Sequence, residues 1–296
     1  MSSPANVEDL RRFITSEIFK ALGISGGWAQ RLLGPLFHPP TQRFAQLAAA
    51  FDERVAQHGF CEAARWVLPH FARAVVARGS EHIPTEGPLL IAANHPGTCD
   101  SLAIAAQVPR NGLKIVATSV PFIRSLPATA NHLIYCAQQD VHERMAVVRA
   151  AIRHLREGGA LLIFPSGQID PDPAVLPGAV QRLESWSPSL AVMLRCVPQA
   201  QVLVTIVSGV LASEWLRSPI ARLRRELGDR QRVAEFFQVM QQMLFPRELL
   251  VEPAISFAQP VTSAELGGGP DVMERLVERA RALLETHSAH VLGRAE

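Results

Sequence analysis

Apolar residues recur at helical spacing along the first 78 residues of the chain. Leu10, Ile14 and Ile18 follow one another at steps of four residues, which places them on one face of a helix. Such a stripe usually packs against a neighbouring element, and the alternative is that it lies on a membrane surface. We therefore expect residues 1–78 to form an N-terminal helical bundle.

Two pairs of helix-breaking residues divide this region. Gly26-Gly27 and Pro39-Pro40 predict helix ends, because glycine is flexible and proline lacks a backbone N–H donor. The pattern thus predicts three or four helices, with the later ones centred on residues 44–58 and 61–76.

After Gly79, short apolar runs alternate with helical stretches. Alternation of this kind is typical of an α/β protein, in which helices cover a mostly parallel sheet. Residues 79–296 are therefore predicted to form an α/β domain. The predicted strands cover residues 88–93, 113–118, 132–136, 160–164, 202–207 and 249–257, and the clearest helices cover residues 141–157 and 270–287.

Composition and charge exclude several classes of protein. A formal net charge of +2 with 19% charged residues gives no field that would attract nucleic acid. The four cysteines lie far apart, so neither a zinc site nor a disulfide framework is expected. The longest nearly apolar run, Val202–Ala212, is shorter than the roughly 18 residues that span a bilayer. Because the first residues also lack the apolar core of a secretory signal, we expect a cytoplasmic protein, peripheral on the cytoplasmic membrane face if it meets a membrane.

A candidate catalytic pair follows the first predicted strand of the α/β domain. The segment from Asn94 to Asp100 reads Asn-His-Pro-Gly-Thr-Cys-Asp and leads into an apolar helical stretch. Because Pro96 and Gly97 turn the chain, Asp100 in the first helical turn can accept a hydrogen bond from one ring nitrogen of His95. The other ring nitrogen is then available as a base.

A second loop of the same form follows the strand predicted at residues 160–164. That strand runs into Pro165, Ser166 and Gly167. Ligands collect beyond the carboxyl ends of the strands in open α/β sheets. We therefore expect both loops to face one crevice.

Together the two loops resemble the paired motifs of the glycerolipid acyltransferase superfamily, which includes glycerol-phosphate and lysophosphatidate acyltransferases. That family combines an N-H-x4-D loop with an F-P-E-G loop, and the resemblance covers residues 79–210 of this chain. It implies a glycerol-phosphate-acyltransferase-like α/β fold, with a mixed and mostly parallel sheet flanked by helices. It also implies that His95 takes the proton of an acceptor hydroxyl while Asp100 orients this histidine.

The resemblance also indicates the substrates. The acyl donor is expected to be acyl-CoA or an acyl-carrier protein, the acceptor a lipid, and neither a cofactor nor a covalent acyl-enzyme is required. The substrate-binding residues that it suggests are Asn94, Pro165, Ser166, Gly167 and Arg124.

Three positions depart from the family pattern. Ser166 stands in place of the family's glutamate, and Ile169 and Gln138 stand where arginines are usual. Since arginine is the usual partner of a phosphate monoester, a lysolipid or lipid alcohol without that group is the expected acceptor. Other arginines are alternative sources of positive charge in the crevice: Arg110, Arg124, Arg144 and Arg195.

Other reactive residues near the two loops favour simpler interpretations. Cys99 is a candidate nucleophile, but a small residue at a helix entry is more often a packing residue. Ser166 does not satisfy the nucleophile-elbow pattern, because Phe164 occupies the place of the first glycine. Asp170 and Asp172 are expected in a solvated loop, and no metal site is predicted.

The arginine-rich segment at residues 217–232 is a candidate surface for anionic lipid headgroups, an acidic acyl carrier protein or the phosphates of coenzyme A. A solvated helix face is the equal alternative. The leading hypothesis for the chain is an O-acyltransferase of the glycerolipid type. Its alternatives are a catalytically weak lipid-binding or membrane-associated protein on the same scaffold, and an acyl-thioesterase that transfers the acyl group to water.

Overall fold

A mixed sheet forms the centre of the molecule. The computed structural model describes residues 5–24, 27–97, 99–136, 141–246, 248 and 251–292. Within these ranges the sheet has eight strands: β1 (Val76–Arg78), β2 (Leu89–Ala93), β3 (Leu113–Thr118), β4 (Leu133–Cys136), β5 (Ala160–Ile163), β6 (Gln201–Ser208), β7 (Ala254–Phe257) and β8 (Val261–Thr262). Their order is β1-β7-β6-β2-β5-β3-β4, with β8 paired to β6.

Five consecutive strands of the sheet run parallel to one another, in the order β6, β2, β5, β3 and β4. Strands β7 and β8 are antiparallel to β6, and β1 runs parallel to β7. The prediction of a mixed, mostly parallel sheet is therefore confirmed. Because the carboxyl ends of the five parallel strands share one edge, the loops that follow β2, β5 and β6 lie next to one another.

Helices cover both faces of the sheet. The helices are α1 (Val7–Ala21), α2 (Gly27–His58), α3 (Phe60–Val67), α4 (Asp100–Gln107), α5 (Pro121–Arg124), α6 (Pro127–Ala130), α7 (Val141–Arg156), α8 (Ala179–Leu183), α9 (Ser189–Cys196), α10 (Ser213–Leu216), α11 (Pro219–Arg222), α12 (Leu227–Leu244) and α13 (Val272–Leu292). Side chains alternate between the faces of a strand. In β2, Leu89 and Ile91 pack with α3 and α4, whereas Leu90 packs with α7, α9 and α13. No helix among the described residues is both long enough and apolar enough to cross a membrane.

The N-terminal helices differ from the prediction in two places. Helix α2 is continuous through Pro39-Pro40, so the predicted break there is wrong. Its buried residues, among them Phe37 and Phe51, pack on both sides of the prolines, and this packing overrides the local cost of proline in a helix.

The helix predicted at residues 61–76 is also too long. Helix α3 ends at Val67, and Pro69 follows in a single 3-10 turn. The amide of Val76 then donates to the Pro253 carbonyl, and β1 pairs with β7. Residues 76–78 thus belong to the sheet, while the division of the chain into domains 1–78 and 79–296 stays a prediction.

The strand predicted at residues 249–257 begins only at Ala254. Pro253 precedes it, and a proline has no N–H with which to join a strand ladder. Residues 249 and 250 lie outside the described residues. The other predicted strands lie within one or two residues of β2 to β6.

Candidate active site

The loop after β2 is fixed to the sheet by its first residue. The Asn94 side-chain amide donates to the Val207 carbonyl and accepts from the Val207 amide, both at 2.8 Å. Asn94 is buried. Its side-chain amide donates one bond and accepts one bond, as the backbone of a neighbouring strand would. Asn94 therefore sets the point at which the chain leaves the sheet, one residue before His95.

His95 and Asp100 meet across the turn that the sequence predicts. His95 Nδ1 lies 2.8 Å from Asp100 Oδ2, and the Gly97 amide donates to the same oxygen at 3.1 Å. The Asp100 side chain is 0% exposed at the first position of α4, whereas the His95 side chain is 28% exposed. A carboxylate only accepts hydrogen bonds, so the neutral ring carries its proton on Nδ1. The other ring nitrogen, Nε2, is then the basic one.

The loop after β5 contacts the same histidine. The Phe164 ring stacks on the His95 ring, with 4.3 Å between the centroids. The His95 amide donates to Asp170 Oδ2 at 2.9 Å, and the Asp170 amide donates to the His95 carbonyl at 2.7 Å. The structure therefore brings the two loops together, as expected from the parallel strands.

Asp170 and Asp172 are buried, so the prediction that they lie in a solvated loop is wrong. The Asp172 carboxylate accepts from the backbone amides of Ala174 and residues 209–211 at 2.9 to 3.2 Å. Asp170 Oδ1 lies 3.3 Å from Arg182 Nε. The Asp172 carboxylate therefore binds backbone N–H donors and joins the loop after β5 to the loop after β6. The Asp170 carboxylate is paired with an arginine.

Several carboxylates act on the protonation of His95. Burial of the ring is the largest single influence and disfavours its charged form, but Asp100, Glu235 and Asp170 outweigh it and raise the pKa of His95 above its ordinary value. The base form of His95 is therefore populated at higher pH than that of a free histidine. For Cys99, burial first and the charges of Glu235 and Asp100 next hold the pKa of the thiol well above its usual range, which favours the packing interpretation over a nucleophile.

Ser166 and its neighbours form a tight turn. Ser166 Oγ donates to the Gln168 carbonyl at 3.0 Å, and Gly167 has a φ of +65°. The Pro165 carbonyl accepts from the Ser187 amide at 3.0 Å. The Ser166 hydroxyl is therefore engaged within its own loop, an arrangement that gives no support to a serine nucleophile.

The first part of the sheet matches a known family. A family model described as Acyltransferase matches residues 74–182, which include both loops. We call residues 74–182, the part of the chain that this family model matches, the acyltransferase domain.

One solved structure that is similar to the chain is that of the 1-acyl-sn-glycerophosphate (LPA) acyltransferase PlsC from Thermotoga maritima. The two share 15% sequence identity with a TM-score of 0.44, and the alignment covers 93% of this chain and 96% of that chain. No curated protein matches the sequence.

Arginines of the acyltransferase domain occupy different edges of the sheet. Arg110 donates to the Gly87 and Gly158 carbonyls, which precede β2 and β5 at the edge opposite the two loops. Arg124 follows β3 at the loop edge, where its guanidinium lies 4.8 Å from the centre of the Tyr135 ring. Gln138 lies outside the described residues. The assignment of Arg124 and of the loop residues to substrate binding stays a prediction.

Helix α12, outside the acyltransferase domain, contributes polar residues that the sequence analysis missed. The Gln231 side-chain amide donates to the Pro96 carbonyl and to the Asp170 carbonyl, and Glu235 lies one turn further along the helix. Their only sequence signal is polar residues at positions 231, 235, 238 and 242, a helical spacing within α12. That spacing is also typical of a solvated face, so it does not by itself indicate a site.

Proposed function

We propose that this protein transfers a fatty acyl group from an acyl-thioester to a hydroxyl of a lysolipid or related lipid alcohol, with His95 as the general base. The observation that carries the proposal is the 2.8 Å contact between His95 Nδ1 and the fully buried Asp100. This contact orients a partly exposed imidazole at the loop edge of the acyltransferase domain.

The reaction needs one base and no covalent enzyme intermediate. His95 Nε2 takes the proton of the acceptor hydroxyl while the hydroxyl oxygen attacks the thioester carbonyl carbon. The carbon–sulfur bond then breaks, and the leaving thiolate takes the proton back from the imidazolium. The products are an ester and a free thiol, and His95 returns to its neutral form. Asp100 supports the step because it stabilises the imidazolium and fixes the ring.

Product analysis with an unselected acceptor pool tests the proposal. The purified protein is incubated with a labelled acyl-CoA, and in parallel with the same acyl group on an acyl-carrier protein, in the presence of a total lipid extract. Mass spectrometry should find the label in a new lipid ester. Label that appears only as free fatty acid would indicate the thioesterase alternative, and unreacted thioester with both donors would favour the lipid-binding alternative.

The acceptor is expected to carry no phosphate monoester. Ile169 occupies a position where the resembling enzymes have an arginine, and Arg182, which lies beside Asp170, is already paired with that carboxylate. A phosphate dianion at the loop after β5 would therefore lose its hydration without gaining a cation from either position. We expect kcat/KM for lysophosphatidate to be about tenfold or more below that for a lysolipid with a phosphate diester.

A charge-restoring variant makes this comparison sharper. Ile169→Arg should raise the relative kcat/KM for lysophosphatidate by about tenfold, whereas Gln168→Arg, at the exposed neighbouring position, should change it little. A wild-type preference for the phosphate monoester would contradict the proposed acceptor class.

A membrane surface is a further proposed partner. Trp28, Leu32 and Leu36 follow one another at steps of four along α2, and each is more than two-thirds exposed. The arginine-rich segment lies close to the start of this helix, because Arg224 donates to the Ala21 carbonyl at the end of α1. Exposed apolar side chains beside cationic ones are suited to an anionic bilayer surface.

Vesicle binding tests this partner. We expect the protein to sediment with phosphatidylglycerol vesicles more than with phosphatidylcholine vesicles, and to be released as NaCl is raised. The double variant Arg222→Gln/Arg225→Gln should lose binding, whereas Arg144→Gln/Arg149→Gln, with the same charge change on α7, should keep it. Equal binding of the wild type to both vesicle types would contradict the proposal that the arginine-rich segment binds an anionic membrane surface.

A further inference from the structure

Helix α12 presents a buried polar face to the two loops of the acyltransferase domain. Gln231, Glu235, Gln238 and Gln242 recur at steps of four, three and four residues, and all are buried. Positions with this spacing lie on one side of a helix. An apolar face would be the usual choice for a helix that packs on a sheet, so these polar residues need a specific explanation.

The three glutamines of this face bind backbone groups of neighbouring segments. The Gln231 amide bonds to both loops, through the carbonyls of Pro96 and Asp170. Gln238 donates to the Val210 carbonyl at 2.9 Å, and its side-chain oxygen accepts from the Ala212 amide at 2.7 Å. Gln242 donates to the Phe71 carbonyl at 2.6 Å. The helix therefore holds the loops after β2, β5 and β6 in a fixed relation to one another.

Glu235 differs from the glutamines because it brings a charge. Its side chain lies against Gly97, so close that a Cβ atom at position 97 would be 2.7 Å from Glu235 Oε1. Gly97 is the middle of the turn between His95 and Asp100, and its amide donates to the Asp100 carboxylate. Glu235 is only 8% exposed, and a carboxylate this deeply buried is costly unless a positive charge or hydrogen bonds compensate it.

We propose that Glu235 is a positioning residue for acyl transfer, a second carboxylate that acts with Asp100 to stabilise the positive charge which His95 acquires from the acceptor hydroxyl. This inference rests on the proposed function, because it assigns Glu235 to the same proton transfer. The charged groups around His95 then come from four segments: Asp100 in α4, Asp170 in the loop after β5, its partner Arg182 in α8, and Glu235 in α12.

The direction of the electrostatic effect supports this role. Burial of the ring opposes the imidazolium most strongly, but the charges of Asp100, Glu235 and Asp170 together raise the pKa of His95. Removing the Glu235 charge should therefore lower the pKa of His95. The base form would then persist to lower pH, while the imidazolium formed during transfer would be less stable.

The Glu235→Gln variant tests the inference through the pH profile. With one acyl-thioester and one lysolipid, the acidic limb of kcat/KM should move to lower pH than in the wild type, and the plateau should fall by about tenfold. Glu235→Asp keeps the charge and should keep the limb near its wild-type position. Glu226→Gln, a change of the same kind at the exposed cap of α12, should leave both limb and plateau unchanged.

Two readouts separate this role from a structural one and from failure of the proposed function. An NMR titration of the His95 ring in the wild type and in Glu235→Gln measures the pKa difference without any turnover. A lower pKa in the variant supports the inference, and an unchanged pKa, with or without a loss of activity, overturns it. Loss of activity in His95→Ala together with an unchanged pH limb in Glu235→Gln would overturn only this inference, whereas full activity in His95→Ala would overturn the proposed function itself.

Discussion

Replacing His95 with alanine is expected to lower kcat/KM for acyl transfer by about 10²–10⁴-fold, the usual contribution of a general base. The reason is geometric. The ring lies at the loop edge of the sheet, and its Nδ1 is 2.8 Å from the buried Asp100 carboxylate. This contact leaves Nε2 as the proposed acceptor of the hydroxyl proton. The comparison is made with one acyl-thioester and one lysolipid at saturating donor concentration.

Controls separate loss of the base from loss of the fold. The variant should keep the wild-type circular dichroism spectrum and stay folded at the assay temperature, although its unfolding midpoint should fall because the buried Asp100 keeps the Gly97 amide but loses the His95 ring. Asp100→Asn should also impair transfer, since an amide cannot stabilise the imidazolium as a carboxylate does. His58→Ala removes a histidine from the exposed end of α2 and should be as active as the wild type. A His95→Ala enzyme with unchanged turnover would contradict the mechanism.

The largest expected effect on stability is that of Asp172→Ala. Asp172 is fully buried and accepts from four backbone amides, those of Ala174 and residues 209–211. Truncation leaves these donors buried without partners, at about 1–3 kcal/mol each before any water enters. We therefore expect the free energy of unfolding to fall by roughly 3 kcal/mol or more.

Urea unfolding measures this loss. Asp271→Ala, at the exposed position directly before α13, is the matched control and should cost only the roughly 1 kcal/mol of an exposed helix cap. Asp172→Asn keeps the shape and one acceptor oxygen, so it should lie between the wild type and the alanine variant. An alanine variant as stable as its Asp271→Ala control would show that water or a rearranged loop replaces the carboxylate.

The sequence predicts the geometry of the two loops well because simple rules determine it. The turn between His95 and Asp100 follows from Pro96 and Gly97, whose effects on the backbone do not depend on distant residues. The meeting of the two loops follows from a general property of parallel sheets, that strands running in one direction end at one edge.

The predictions that failed, and the site residues that were missed, depend on contacts between segments far apart in the sequence. The sequence shows Asp172 in a proline-rich stretch, but it does not show that the amides of residues 209–211 lie opposite it. Gln231 and Glu235 lie more than 130 residues from the turn that they contact, with no motif to connect them. Pro39-Pro40 predicts a helix end because proline is unfavourable inside a helix. In the structure, packing of buried residues on both sides of the pair keeps α2 continuous.

The measurement that tests the central claim most directly is the ratio of ester formed to thiol released. Thiol is followed with a chromogenic reagent and ester by mass spectrometry, in the same reaction of wild-type protein with acyl-thioester and lysolipid. We expect one ester for each thiol, with both rates lost together in His95→Ala. Thiol release without ester, or ester formation that persists in His95→Ala, would contradict it.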